Sequence, residues 1–444
     1  MKSRESILVY QQKIREGKIY RRRRKVPKRD TSRTISDFKS GGIIPKYYSP
    51  FLRHFHAKGY IDSQYVSKII KIPNSFVFTT NYDECIIVFK SILSSFLLGS
   101  GKMILDFSRC KKSSVSGFAL LEIILFYLED YKIRFNKNRY FKCEKKLTIV
   151  HSKKDSKTNK YIHTFLGVAL PAKDNDGSQF LKFDMRRGRH TTYSHNEKAR
   201  ICTELVRFLE ESSHKVGVSL KPKGRSNLEK LIGEVLGNAE DHSAEKSFWH
   251  VLGVSFLEKQ SGTDVVELNL CIANTGFSMY EGFEETKHQN IENYMKCQQL
   301  YDEHSQKFTA KHNFERENLF TLYLLNDGIS RLKFQDSSRG NGTTRFLQAF
   351  ITLGLFGQQN KKFNSQLTIA SGHTTLKCDN AVGPYKNGTA LCLSLNLDKD
   401  IRELPSPDYL KYYKSYFPGT FFEIQIFLNE EFFKQKLAIN NEDN

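Results

Sequence analysis

The chain of 444 residues lacks the features that identify several common classes of protein. It has no run of about 20 apolar residues, so we predict no transmembrane helix and no membrane partner. Its first ten residues, MKSRESILVY, are charged and have no apolar core, so we expect no secretory signal. The 8 cysteines are scattered, and none forms a C-x-x-C pair or has the spacing of a zinc site. These absences predict a cytoplasmic protein with free thiols.

Positive charge is concentrated in two blocks of a chain whose net charge is +21. Residues 1–35 contain 13 lysines and arginines against 3 acidic residues, and residues 131–163 contain 11 against 2. Such blocks repel themselves and favour a polyanionic partner, so residues 1–40 are predicted to form a flexible basic arm. The candidate partners are nucleic acid and an acidic protein. Both are kept because no base-reading motif accompanies the charge and singles out nucleic acid. A solvating tail is the remaining alternative.

Residues 226–243, SNLEKLIGEVLGNAEDHS, have the periodicity of an amphipathic helix. Ser226 and Glu229 predict a capping box at its start. Apolar residues recur on one face, at Leu228, Leu231, Ile232, Val235 and Ala239. Polar residues recur on a neighbouring stripe, at Glu234, Asn238 and Asp241. A carboxylate, an amide and a second carboxylate in a row suit a hydrated cation and a water molecule, although a solvated polar stripe has the same pattern.

Two later segments supply groups that a nucleotide pocket needs. Residues 267–279, ELNLCIANTGFSM, alternate as in a half-buried strand and then turn at Asn274 and Gly276. Residues 336–350, DSSRGNGTTRFLQAF, contain a glycine loop before an apolar stretch that we predict to be helical. Glycines before a helix let backbone N–H groups approach an anion, which the helix dipole also favours. Taken alone, such a loop is equally typical of an ordinary turn.

These three segments, in this order, resemble the nucleotide-binding domain shared by gyrase, the heat-shock chaperone, sensor histidine kinases and mismatch-repair ATPases, called GHKL or Bergerat-fold. The resemblance covers roughly residues 200–430 and implies ATP and Mg²⁺ as ligands. By match, Glu234 would be the general base, Asn238 would hold Mg²⁺, and Asp241 would lie in the same site. The phosphates would be held by the glycine loop and its neighbours, namely Arg339, Gly340, Gly342 and Thr343.

The resemblance also implies which residues hold the base. The family has an acid at the strand end that accepts a hydrogen bond from adenine, and here that position is Asn274, followed by Gly276. An amide offers a donor as well as an acceptor, which leaves the selection of adenine open. The second glycine of the family motif is replaced by Ser278. Residues 418–427, PGTFFEIQIF, resemble the closing strand, with Thr420 as a base-pocket candidate.

Residues 75–170 alternate strand and helix patterns, which is typical of a small α/β domain. The stretches ILDFSRCKKSSVSGFALLEII and LTIVHSKKDSKTNKYIHTFLGV resemble a STAS domain, the fold of anti-anti-sigma factors. In that family a partner ATPase of the GHKL type phosphorylates a serine at the turn before the helix. Ser114 and Ser116 occupy that place here, where a serine is also a common helix N-cap.

The predicted fold class is α+β, with a C-terminal Bergerat-type α/β sandwich preceded by a small STAS-like α/β domain and the basic arm. The predicted segments are the arm (1–40), a connector (41–74), the STAS-like domain (75–170), a linker with a helix (171–225), the ATP-binding domain (226–430, with a lid at about 280–338) and a tail (431–444).

The first functional hypothesis is a Mg²⁺-dependent ATP-binding protein whose hydrolysis or phosphotransfer is coupled to lid closure and regulation of a partner. The alternative is a nucleotide-gated switch that binds nucleic acid or protein with little turnover, which the departures at Asn274 and Ser278 favour. A third hypothesis is a serine kinase that acts on a STAS-like domain. The resemblance further implies an ATP-dependent homodimer.

Overall fold

The fold is α+β, as the sequence predicted, and its largest element is an antiparallel sheet of five strands. The computed structural model describes residues 48–99, 102–136, 146–174, 180–188, 194–219, 221–241, 248–260, 263–310, 313–327, 329, 365–379 and 381–430. All of them belong to one compact unit, residues 44–444, so the predicted STAS-like and ATP-binding segments are not separate units.

The five strands are arranged in the order β6–β7–β8–β12–β9, each antiparallel to its neighbours. Their bounds are β6, Phe180–Gly188; β7, Trp249–Gln260; β8, Thr263–Thr275; β9, Gln366–Cys378; and β12, Leu410–Leu428. Residues 249–257 and 264–273 both alternate as strands in the sequence, which predicts a hairpin, and the antiparallel pairing of β7 with β8 confirms it. The predicted closing strand is part of β12, which pairs with both β8 and β9.

Both faces of this sheet are buried. On β8, Leu268, Leu270 and Ile272 point to one side, which we call the helix face, and join a large apolar core. Glu267 and Asn269 alternate with them and point to the other side, the opposite face, where they are also buried. The strand was expected to be half-buried because one face is polar, but a second layer of structure covers that face.

Helices cover the helix face, with Ile201, Ile232, Val235 and Phe320 among their buried residues. Their bounds are α5, Ser194–His214; α6, Pro222–Asp241; α7, Met279–Glu285; α8, Ile291–Ser305; and α9, Arg316–Tyr323. The last three occupy the described part of the predicted lid, and they are packed into the core rather than held apart from it.

Helix α6 begins earlier than the sequence pattern indicated. Its first residue is Pro222, which suits a first helical position because proline has a helical φ and lacks the N–H that would be unsatisfied there. The predicted capping box of Ser226 and Glu229 is therefore wrong, since Ser226 lies inside the helix.

The N-terminal layer contains two small parallel sheets, β1–β3–β5 and β2–β4, with helices beside them. Its elements are α1, Pro50–Ala57; β1, Ile69–Lys71; β2, Ser75–Phe76; α2, Tyr82–Leu97; β3, Lys102–Asp106; β4, Lys112–Ser113; α3, Val115–Asn136; β5, Lys146–Val150; and α4, Ser156–Leu166. Asp155 caps α4, and Gly167 ends it in a left-handed conformation at φ +67°. The predicted alternation of strands and helices is confirmed.

Helices α2, α3 and α4 pack on the opposite face of the large sheet. Phe78 contacts Phe421 with ring centroids 5.4 Å apart, and Lys157 forms an ion pair with Glu267 at 2.6 Å. The Glu423 carboxylate of β12 accepts hydrogen bonds from the Ser116 backbone N–H and the Thr79 hydroxyl. A strand residue thus caps helix α3 from the neighbouring layer, and a carboxylate there also complements the helix dipole.

Two expectations for the chain between and after the domains were wrong. Residues 171–225 are not only a linker, because they contain the edge strand β6 as well as α5. The stretch GTALCLSLNL, residues 388–397, has the sequence pattern of a strand, but within it only β11, Ala390–Cys392, pairs, with β10, Tyr385–Asn387. The chain then turns, with Leu395 at φ +57° and the Asn396 amide holding the carbonyl oxygens of Asp400 and Glu403.

Some expectations fall partly or wholly outside the described residues. The residues of the predicted basic arm (1–40) and of the tail (431–444) are outside the described part of the chain. The basic block 131–163 is described except at 137–145. Within the described part of the chain, no helix is long and apolar enough to cross a bilayer. The cysteines in the same part are all free.

A pH prediction follows from His250 on β7, whose Nε2 lies 2.9 Å from the Tyr127 hydroxyl of α3. Burial and the nearby Arg187 lower the pKa of His250 to about 3. Below pH ~6.5 the unfolded chain therefore binds a proton at this histidine, whereas the folded chain does not. The free energy of unfolding falls on acidification by up to about 1.4 kcal/mol per pH unit.

We expect His250→Gln to reduce the loss of unfolding free energy between pH 7 and pH 5 by about 2 kcal/mol. Urea titrations at both pH values measure this difference. The exposed His288→Gln is the control and should retain the wild-type dependence. An unchanged dependence in His250→Gln would contradict the prediction.

Candidate functional site

Helix α6 presents the predicted polar stripe beside its buried face. Ile232 and Val235 are buried against the sheet, Glu234 is exposed, and Asn238 is half-buried. Asp241 is the last residue of the helix, and its side chain lies outside the described residues. The stripe therefore combines a carboxylate open to water with an amide at the boundary of the core.

The end of β8 carries the predicted base-binding residue. Asn274 is 2% exposed and points to the helix face, and in the ladder it lies directly opposite Trp249 on β7 and Thr420 on β12. Its Nδ2 is buried without a hydrogen-bond partner among the described residues. A buried amide donor left unpaired costs about 1–3 kcal/mol, so this position is unfavourable for stability and suited to a ligand acceptor.

Thr420 extends this polar row to β9, where Ser371 is its ladder partner. Ser371 Oγ accepts from the Met279 backbone N–H at 2.8 Å and donates to the Gly419 carbonyl oxygen. The hydroxyl of Thr420, 3.0 Å away, must then supply the proton of the Ser371–Thr420 hydrogen bond. Thr420 is left with acceptor lone pairs, next to the unpaired donor of Asn274.

Gly419 allows this row to form. Its φ is +138°, and a Cβ at this position would lie 2.1 Å from the backbone oxygen of Asn274. Any other residue would push β12 away from the end of β8, because both clashing groups are backbone. The Pro-Gly-Thr sequence that marked the closing strand therefore has a steric reason.

Ser278, the departure from the family motif, has a structural role. It is the N-cap of α7, and it forms a capping box with Glu281. Glu281 also accepts from the Tyr416 hydroxyl and forms an ion pair with Lys58 at 2.9 Å. Burial alone would raise the pKa of Glu281, but these hydrogen bonds lower it.

Helix α1 holds the turn after β8. His54 Nε2 lies 2.8 Å from the carbonyl oxygen of Gly276, whose N–H donates to the Pro418 oxygen. Burial lowers the pKa of His54, so the neutral ring donates this hydrogen bond. The strand end is thus held by three segments distant in sequence, and neither His54 nor Ser371 carried a sequence signal that could have singled it out.

The predicted phosphate-binding residues, Arg339, Gly340, Gly342 and Thr343, lie outside the described residues. The structure therefore brings together Asn274, Gly276 and Thr420 and places α6 on the same face of the sheet. Within the described residues, no three histidines, cysteines or acids cluster as a metal site. The oxygen of the Asn238 amide is nevertheless the kind of ligand that Mg²⁺ prefers.

The two candidate phosphoacceptor serines differ in accessibility. Ser116 is fully buried, and its hydroxyl lies 2.6 Å from that of Ser114. Ser114 is half-buried and directly precedes α3, as expected of an N-cap residue. A partner enzyme could reach Ser116 only after local unfolding.

Comparison with known proteins gives no match: no family model, no curated protein and no solved structure is similar to this chain.

Replacing Asn274 by the similarly shaped leucine should stabilise the ligand-free protein by about 1–2 kcal/mol, because the unpaired amide is removed. Thr420→Val, which removes a hydrogen bond that is made, should instead cost about 1 kcal/mol. Thermal and urea unfolding of the two variants measure these changes. Destabilisation by Asn274→Leu would show that the amide is satisfied in the folded protein.

Proposed function

We propose that this protein binds ATP with Mg²⁺ in a GHKL-type site on the helix face of the large sheet, between α6 and the ends of β8 and β12. The observation that carries the proposal is the ladder pairing of Asn274 with Thr420. These residues were predicted from two segments far apart in sequence, and they lie in register on neighbouring strands. The helix that carries Glu234 and Asn238 covers the same face.

Hydrogen-bonding capacity supports a nucleobase as the group bound at the strand end. Asn274 Nδ2 is an unpaired buried donor, and Thr420 Oγ1 retains acceptor lone pairs. A base edge with an acceptor beside a donor, such as N1 and the amino group of adenine, complements this pair. The amide oxygen gives Asn274 a second way to bind, so discrimination between bases is expected to be modest.

The stripe of α6 supports chemistry at the phosphates. The Asn238 side chain would hold Mg²⁺, which when bound offsets the charge of the phosphate oxygens. Glu234 is exposed, so its carboxylate can accept a proton from a water molecule that attacks the terminal phosphate. The bond to the leaving phosphate oxygen breaks as that water oxygen bonds to phosphorus, and the products are ADP and phosphate.

Glu234→Gln should retain ATP binding within about twofold and lower single-turnover hydrolysis by about 10²-fold or more, because the amide cannot take the proton. Calorimetry gives the affinity, and quenched-flow measurement of phosphate gives the rate. Glu229→Gln, on the same helix, is the matched control and should leave both unchanged. Equal, negligible turnover in the wild type and Glu234→Gln, with binding intact, would favour the nucleotide-gated switch instead.

Asn274→Asp should shift the ratio of ATP to GTP affinity by about tenfold toward GTP, because the carboxylate cannot donate to adenine N1 but can accept from guanine N1–H. Competition of each nucleotide against a fluorescent ATP analogue measures the ratio. The exposed Asn196→Asp, on α5, is the control. An unaltered ratio in Asn274→Asp would place the base elsewhere.

A further inference from the structure

A cavity of about 470 Å³ opens between the N-terminal layer and the opposite face of the large sheet. One wall is formed by residues 111–115, between β4 and the start of α3, together with Asp155 and Lys157 at the start of α4. The other wall is formed by β8, β9 and β12. Its volume lies within the range of about 300–1,000 Å³ that is typical of small-molecule sites.

The floor of this cavity is polar although it is buried. Glu267, Asn269, Thr368 and Glu423 line it, and each is at most 6% exposed. Gln366 and Gln425 continue the same surface and are hydrogen-bonded to each other at 2.8 Å. Asn269 Nδ2 and Gln425 Nε2 both donate to Glu267 Oε1, so each of these amide groups keeps one N–H for a hydrogen-bonding ligand.

The acids of the floor and wall are already satisfied by the protein. Glu267 is paired with Lys157, and Glu423 accepts from Ser116 and Thr79. Asp155 accepts from the backbone N–H groups of the first turn of α4. Glu423 and Asp155 therefore cap the starts of α3 and α4, and the charge of Glu267 is offset by Lys157.

Four other lysines of the cavity have no such partners among the described residues. Lys111, Lys112, Lys377 and Lys411 line its rim, and none forms an ion pair with a residue that the structure describes. They come from both walls, so positive charge lies on two sides of the cavity. Asp408 is the remaining acid at the rim, which leaves an excess of positive charge for an anion.

We propose that this cavity binds a small phosphorylated molecule of about the size of a nucleoside monophosphate. Its phosphate would lie among the rim lysines, which contribute charged hydrogen bonds, and its polar body would bond to the floor amides and to the Thr368 hydroxyl. The site is distinct from the proposed ATP site. The two lie on opposite faces of the sheet, and Glu267 and Asn274 are separated by roughly 23 Å along β8.

The test is calorimetric titration of the full chain with AMP, GMP, CMP, UMP and ribose 5-phosphate. We expect at least one probe to bind with 1:1 stoichiometry. Lys112→Glu and Lys411→Glu, one from each wall, should each weaken its affinity by about tenfold or more, because each reverses a contacting charge. Lys414→Glu makes the same charge change on β12 outside the cavity and should have little effect.

Asn274→Leu separates this proposal from the one for ATP. A probe that still binds Asn274→Leu but is weakened by Lys411→Glu supports the cavity site even if ATP does not bind at all. Loss of the probe in Asn274→Leu with retention in Lys411→Glu places it in the ATP site and overturns the proposal. Equal weakening by Lys411→Glu and Lys414→Glu, or no binding of any probe at about 1 mM, also overturns it.

Discussion

Burial of the large sheet on both faces is the constraint on which the rest of the structure depends. Strands β8 and β12 supply apolar side chains to the helix face, where Leu270 and Ile424 are 0–1% exposed. Their other face has to be covered as well, and the N-terminal layer covers it. The Glu423 carboxylate shows how closely the layers are joined, because a strand residue satisfies the first turn of α3. Separating the layers would leave the start of α3 without this cap and expose buried aromatic contacts such as that of Phe78 with Phe421. The segments before and after residue 170 accordingly form one compact unit.

The same constraint explains the end of β8. There the apolar row of the helix face gives way to Asn274, Thr420 and Ser371, which lie side by side on neighbouring strands. Gly419 lets the strands approach, and Ser278 begins α7 beside them. The close approach of two backbones explains Gly419, and a helix cap explains Ser278. No such structural role explains the unpaired Nδ2 of Asn274. Trp249 Nε1, opposite Asn274 on β7, is likewise a buried donor without a partner among the described residues, and the two donors together support the proposal that this row meets a ligand.

The opposite face has a different balance of charge. Its carboxylates are held by lysine, hydroxyl and backbone donors, and its rim lysines are not held by any described acid. Because β8 and β12 contribute to both faces, a ligand in the cavity and a nucleotide at the strand end would contact the same two strands. Any shift of β12 relative to β8 would move residues of both the cavity and the strand end, which gives the fold a physical route for coupling the two proposed sites.

Much of the local structure could be predicted from the sequence, and the pairing of distant segments could not. The periodicity of apolar residues was sufficient to locate α2, α3, α4 and α6 and the hairpin of β7 and β8, because side-chain spacing follows directly from backbone geometry. Strand β6 was missed, since Lys182, Arg186 and Arg187 hide the pattern of an edge strand. The sequence alone determined which elements form and which residue types they carry. Only the tertiary structure decided that Glu267 and Glu423 are buried, that His54 holds Gly276 and that Asn274 lies beside Thr420, because strand register and layer packing depend on contacts between residues far apart in the chain.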